Sequence, residues 1–200
     1  MAPIIKSVPA SELVNPSQQN NVFQFVQTTK PTERSAGVAL VAGDRWYKND
    51  DQTEWSWNGT YWVSNLQSAS YSGVNIGSTG GNQGPYCFLA NTTYSLMLDS
   101  VVFKVRTSPP SNATDNWTVQ PQVLRNNPND TTSNIGGTYN SFTDWGLTTF
   151  PNWSTRSMSL LNTLIIAPTF YDVRFSYTKN GAAGALNIAW ATLYYRLVIN

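Results

Sequence analysis

Tyr171-Asp172-Val173-Arg174-Phe175-Ser176-Tyr177 alternates an apolar side chain with a polar one at every step. A strand turns successive side chains to opposite faces, so Tyr171, Val173, Phe175 and Tyr177 share one face and Asp172, Arg174 and Ser176 the other. A helix, with a period of 3.6, would not sort them this way. The same period recurs upstream. Leu96–Arg106 sets Val101, Phe103 and Val105 against Val102, Lys104 and Arg106, and Trp117, Val119 and Val123 repeat the theme. Ser159–Ala167 reads as a strand with a mixed face, and Lys179-Asn180-Gly181 turns the chain into Ala185–Ile199. That last strand is apolar on both faces (Leu186, Ile188, Trp190 and Ala189, Leu193, Tyr195), which predicts a central strand or one covered by another subunit. Residues 66–84, rich in Gly, Ser and Asn, read as a linker or loosely paired edge strands, and Arg125–Asn140 as loop for most of its length. No segment supports a long amphipathic helix. The expected class is all-β, with residues 66–200 forming a jelly-roll-like β-sandwich of about 120 residues.

Ahead of the sandwich, residues 37–65 form a compact Trp-rich β-meander. Gly43-Asp44-Arg45-Trp46-Tyr47 is a turn into a strand, Lys48–Gln52 a polar turn, and Glu54-Trp55-Ser56-Trp57 a second strand. Asn58-Gly59 signals a two-residue hairpin into a third strand, Thr60-Tyr61-Trp62-Val63. Gly43 and Gly59 suit backbone conformations that other residues resist, and Asp44 and Asn58 can hydrogen-bond the backbone of their own turns. Four tryptophans within 17 residues can supply the core of so small a unit. They can also stack on a sugar. For Trp46, Trp57 and Trp62 the core reading is preferred; for Trp55 and Tyr61 both stand. Residues 1–36, with prolines at 3, 9, 16 and 31, read as an extended anchoring arm or a loose terminus, and Val22–Val26 as a patch that adds a short strand or docks on a neighbour.

Only 12% of residues are charged, against about 25% in an ordinary soluble domain. Asn, Ser and Thr take their place beside 8 Trp and 10 Tyr, which is not the composition of a disordered chain. A net charge of +1 provides no field to gather phosphates, so nucleic acid is not an expected partner. Histidine is absent, and the single Cys87, in the apolar run Pro85–Leu89, reads as a small core residue. Neither a signal peptide nor a membrane span is expected. The sequons at Asn58, Asn91, Asn112, Asn116, Asn129 and Asn152 reflect composition.

Three stretches carry a resemblance: Lys30-Pro31-Thr32-Glu33-Arg34-Ser35-Ala36-Gly37-Val38-Ala39-Leu40, Gly43-Asp44-Arg45-Trp46-Tyr47 and Trp57-Asn58-Gly59-Thr60-Tyr61-Trp62-Val63. Together they resemble a module recurrent in bacteriophage tail-fibre and virion-associated proteins: Pro-Thr-x-Arg, then Gly-Asp-x-Trp, a short turn and Trp-Asn-Gly-x-x-Trp. Similar modules occur in other phage and prophage structural proteins. The resemblance covers about 35 of the 200 residues and is silent on residues 66–200. It implies a virion structural protein, with Gly43, Asp44, Trp46, Tyr47, Trp57, Asn58, Gly59 and Trp62 as the structural motif. A tail fibre of this kind would be a homotrimer on the virion surface, joined to tail or baseplate by its N-terminal part, with its sandwich facing host polysaccharide.

Catalysis is not expected. The acids beyond residue 65 are Asp99, Asp115, Asp130, Asp144 and Asp172, none in a recognisable pair of the kind glycoside hydrolysis uses. Asp144, beside Trp145, is the best single candidate and reads as a loop residue. No nucleophile elbow, phosphate loop or calcium loop occurs, so neither metal nor cofactor is expected. If a glycan site exists, Tyr139, Phe142, Trp145 and Trp153, with Phe150, are its candidates, since rings in Asn/Thr/Gly loops offer flat apolar faces beside amides. Two other classes stay open: a capsid decoration protein whose arm crosses neighbouring capsid subunits, and a carbohydrate-binding module of a larger enzyme. The second is less favoured because Met1 and the chain length read as a whole protein.

Overall fold

The structure is a computed structural model that describes residues 22–77, 81–82, 87–89, 94–126, 131–148, 152–165 and 170–199. Every regular element in these residues is a strand. They divide into two compact units, one holding the described residues up to Asn65 together with Leu197–Ile199, the other Leu66–Arg196.

The first unit contains β1 (Gln24–Gln27), β2 (Glu33–Ser35), β3 (Val38–Ala39), β4 (Arg45–Lys48), β5 (Thr53–Trp57) and β6 (Trp62–Ser64). The expected meander is β4-β5-β6, antiparallel throughout, with Trp46 opposite Trp55 and Trp57 opposite Trp62. Its second connection differs from expectation. The loop spans Asn58–Tyr61 and the third strand starts only at Trp62. The cause is Asn58, whose side-chain oxygen accepts hydrogen bonds from Thr60 N and Tyr61 N (2.9 and 2.8 Å) and keeps both out of the ladder.

The boundary expected at residue 36 is not where the unit begins. β1 pairs with β4 in parallel, Phe25 opposite Trp46, so residues 22–36 are built into the module and are not a free arm. Residues 1–21 of the expected arm lie outside the described residues. At the other end of the chain, Val198 and Ile199 pair with Val63 and Trp62, which places the close of the last strand in the same unit.

The second unit holds β7 (Gln67–Gly77), β8 (Gly81–Asn82), β9 (Cys87–Leu89), β10 (Ser95–Ser108), β11 (Asn116–Asn126), β12 (Thr131–Asn134), β13 (Tyr139–Asn140), β14 (Ser154–Ile165), β15 (Phe170–Asn180) and most of β16 (Ala185–Ile199). Their pairing identifies the wrapping. β7 pairs with β16, β8 and β9 with β15, β10 with β14, and β11 with β12, each antiparallel. First joins last, second joins second-to-last, and so inward: a long hairpin rolled into two sheets, which is a jelly roll. One sheet runs β7-β16-β10-β14, the other β8/β9-β15-β11-β12, with β13 also on β11.

The core follows the expected alternation. Val101, Phe103 and Val105 are buried from β10, Trp117, Val119 and Val123 from β11, Val173, Phe175 and Tyr177 from β15. Phe103 meets Phe175 edge to face at 5.1 Å across the two sheets. β16 is the central strand its composition predicts, flanked by β7 and β10. Of the two readings of residues 66–84, a linker or edge strands, residues 67–77 take the second: β7 is an eleven-residue strand paired with β16. Arg125–Asn140 contains β12 and β13, so it is less loop than expected. The side chain of Cys87, expected in the core, lies outside the described residues.

Gly184, just before β16, sits so close to β10 that an added Cβ would fall 2.0 Å from Ser108 O and 2.1 Å from Pro109 Cδ. Neither can yield cheaply, one being backbone and the other a ring. Gly184→Ala is therefore expected to cost about 3 kcal/mol or more, at the upper end of overpacking penalties, read as a lowered thermal midpoint.

Candidate functional site

Asp44 organises the first unit. Gly43 reaches a φ of 100°, which a residue with a Cβ resists, and the turn it makes drives the Asp44 carboxylate inward to full burial. There Oδ1 accepts from Phe23 N (3.0 Å) and Arg34 Nη2 (2.7 Å), and Oδ2 from Val41 N and Arg34 Nε (both 2.9 Å). Arg34 also lies over the Phe23 ring, 4.5 Å from its centre. Burial pushes the Asp44 carboxyl up, but the Arg34 hydrogen bonds and the two backbone N–H groups outweigh it and hold it below the ordinary carboxylate range. The Pro-Thr-x-Arg and Gly-Asp-x-Trp segments thus meet in one ion pair. The sequence predicts that Asp44 bonds the backbone of its own turn, as it does through Val41 N, and does not predict that it meets Arg34. The available signal was an Arg and an Asp in a short, charge-poor module.

Around this pair the indoles close the unit. Trp46 Nε1 donates to Gln27 O (2.8 Å) and Trp62 Nε1 to Pro31 O (3.0 Å), tying the segment before residue 36 to the meander. Trp46 is 5.8 Å from Trp62 and 6.4 Å from Trp55. Trp46, Trp55 and Trp62 are each fully buried, so Trp55, for which stacking on a ligand was an equal reading, is a core residue. Trp57 is half-buried beside Trp62 and borders a small cavity of about 170 Å³ with Thr32, Leu40 and Thr60. Tyr47 is exposed, on the side of β4 away from Trp46.

The candidate glycan residues do not assemble as one exposed site. Trp145 is buried against Phe103, ring centres 5.3 Å apart, which removes it from any surface contact. Its polar neighbours satisfy each other instead. Asp144 accepts from Asn140 N (2.6 Å), Asn140 Oδ1 accepts from Phe142 N (2.8 Å), and Ser141 Oγ meets Ser111 Oγ (2.7 Å), so the turn closes and its indole drops into the core. Tyr139 and Phe142 are half-buried, and the Tyr139 hydroxyl accepts from Ser159 N (2.9 Å). Trp153 does reach solvent, with Arg106 stacked 4.7 Å from its ring centre. Phe150 lies outside the described residues. Among the described residues no three His, Cys, Asp or Glu side chains cluster as a metal site would.

No protein-family model matches the chain, and no curated protein is significantly similar to it. Solved structures similar to it include that of infectious bursal disease virus Gx strain, at 11% identity and a TM-score of 0.37, over 73% of this chain and 36% of that one. The CBM22-1 xylan-binding domain of Paenibacillus barcinonensis Xyn10C is another, at 13% and 0.33, over 81% of this chain and 99% of that one. A third is the infectious bursal disease virus VP2 subviral particle, at 12% and 0.33, over 79% and 43%. The chain spans little more than a third of the first structure's chain. Likeness this remote carries no argument about ligand, assembly or activity.

Two outcomes follow from the packing. Trp55→Ala should destabilise the first unit as much as Trp46→Ala, by about 3–5 kcal/mol, and Trp57→Ala by less, in chemical denaturation followed by near-ultraviolet circular dichroism. The Asp44 carboxyl is depressed on folding, so its stabilisation is complete above the unfolded value of about 4 and is lost as pH falls through the lower folded value. Melting of the first unit should therefore drop between neutral pH and pH values below about 4. In Asp44→Ala, which takes the carboxylate partner from Arg34 at a cost of about 3–5 kcal/mol, that part of the acid dependence should be missing.

Proposed function

We propose that this chain is a non-enzymatic bacteriophage virion protein, and within the virion a tail-fibre or receptor-binding protein. It would attach to tail or baseplate through its N-terminal part, assemble as a homotrimer and meet host surface polysaccharide with its jelly roll. The observation that supports this reading is that the phage-like motif works as one structural device. Arg34 and Asp44 form its buried pair, Pro31 O receives Trp62, Gly43 makes the turn that delivers Asp44, and Asn58 closes the last loop. A motif whose parts hold one another together marks a module, and modules of this pattern are what the resemblance ties to phage particles. Nothing in the composition favours nucleic acid, and the reading invokes no cofactor, metal or membrane insertion.

A capsid decoration protein is the second reading. One observation favours it: the jelly-roll wrapping, an architecture that viral coats share with lectins. Fold alone does not choose among them.

Immunogold electron microscopy of purified particles separates the two. Label at the tail is the expected result; label spread over the capsid would favour decoration, and its absence from particles would overturn both. Light scattering of the soluble chain should give three times 22.2 kDa, and a monomer would count heavily against a fibre.

A further inference from the structure

We propose that the outward face of the β7-β16-β10-β14 sheet binds a neutral polysaccharide, with one sugar stacked on Trp190 and the hydroxyl row of β7 beside it receiving a neighbouring sugar. This rests on the reading that the jelly roll meets host glycan, and it moves the contact from the loops to the sheet.

Alternation decides which residues the face carries. Ala191 and Leu193 are buried, so Trp190, Thr192 and Tyr194 point away from the core. On β7 they stand opposite Ser72, Ser70 and Ser68, all three exposed. On the other flank Val102 of β10 is half-buried and pairs with the exposed Ser157 of β14. Trp190 is expected, from the apolar pattern of β16, to share a buried face with Leu186 and Ile188. Instead the buried set passes from Leu186 and Ile188 to Ala191 and Leu193, and Trp190 is left 38% exposed on a central strand.

The surroundings of that ring favour a sugar. Ser72, directly opposite, is too short to cover an indole, and Trp190 keeps 38% of its surface exposed. Ser70 Oγ and Thr192 Oγ1 lie 3.0 Å apart beside it, a pair that can both donate and accept. A pyranose presents an apolar C–H face for stacking and equatorial hydroxyls for such partners. The β7 row opposite Trp190 is uncharged, which complements an uncharged chain; Lys104 on β10 can donate to a hydroxyl without needing a carboxylate. A second copy of the protein is a poorer fit, because the core of a subunit interface wants contiguous apolar surface and here one indole stands among hydroxyls.

The test is affinity electrophoresis of the full chain through gels containing dextran, laminarin or arabinoxylan. At least one should retard the wild type. Trp190→Ala, and independently Ser70→Arg, should weaken that retardation about tenfold, the effect of losing one good contact. Trp153→Ala, EDTA and high salt should leave it unchanged. Circular dichroism melts confirm that the variants are folded. Retardation that survives both face variants would overturn the assignment, as would its loss in high salt, or a change of mass in Trp190→Ala that marks the face as a subunit contact. Absence of retardation in all three gels would overturn the neutral-polysaccharide proposal. Whether the soluble chain blocks phage adsorption is measured alongside, and a block without retardation would leave host attachment standing while removing this face from it.

Discussion

A carboxylate shut away from water must find its partners inside the protein, and the first unit is organised around meeting that demand for Asp44. Four hydrogen bonds converge on it, two from Arg34, one from Phe23 twenty-one residues away and one from Val41 in its own turn. Each bond fixes one more piece of chain. Phe23 N anchors the entry to β1, Arg34 brings in β2, and Val41 N sets the turn before β4. Removing the carboxylate would leave a guanidinium and two amides without their acceptor, which is why one acid can hold so many elements in register. The tryptophans add the apolar burial that so small a unit would otherwise lack, and two of their indole N–H groups repeat the same tie to residues 27 and 31.

The second unit is held by different means. Its residues are so poor in charge that burial and ladder hydrogen bonds must carry the fold. The rolled hairpin suits this, because every long strand has an antiparallel partner and an inward row of apolar side chains. The polar residues then serve turns. Asp115 accepts from Ala182 N (2.6 Å) at the turn into β16, and its carboxyl is lowered first by that bond and then by Asn112. Asn140 and Asp144 do the same for the turn that seats Trp145. What remains for the surface is mostly hydroxyl and amide, a chemistry suited to hydrogen-bonding neutral partners and poorly suited to long-range electrostatic capture.

Functionally, the two kinds of aromatic residue separate by location. In the first unit Trp46, Trp55 and Trp62 are spent on packing. In the jelly roll Trp117 and Trp145 belong to the core, while Trp153 and Trp190 face solvent. Only the latter two retain a ring face for another molecule. Arg106 already covers part of Trp153.

Residues adjacent in sequence determined much of this protein. The period of two in Leu96–Arg106 and Val173–Tyr177 determined that these are strands and which residues go inward, because a pleat alternates whatever lies beyond it. Gly181 and the Asn58-Gly59 pair marked turns, since their conformations and side-chain bonds are local. Tertiary structure alone decided the rest: that Arg34 reaches Asp44, that β1 runs parallel to β4, that Ile199 returns to Trp62, that Trp145 is core and Trp190 is not. The physical reason is that each depends on what arrives from another part of the chain. An indole in a polar loop has the same local sequence whether or not a Phe103 waits beneath it, and periodicity carries no information about which strand will lie alongside.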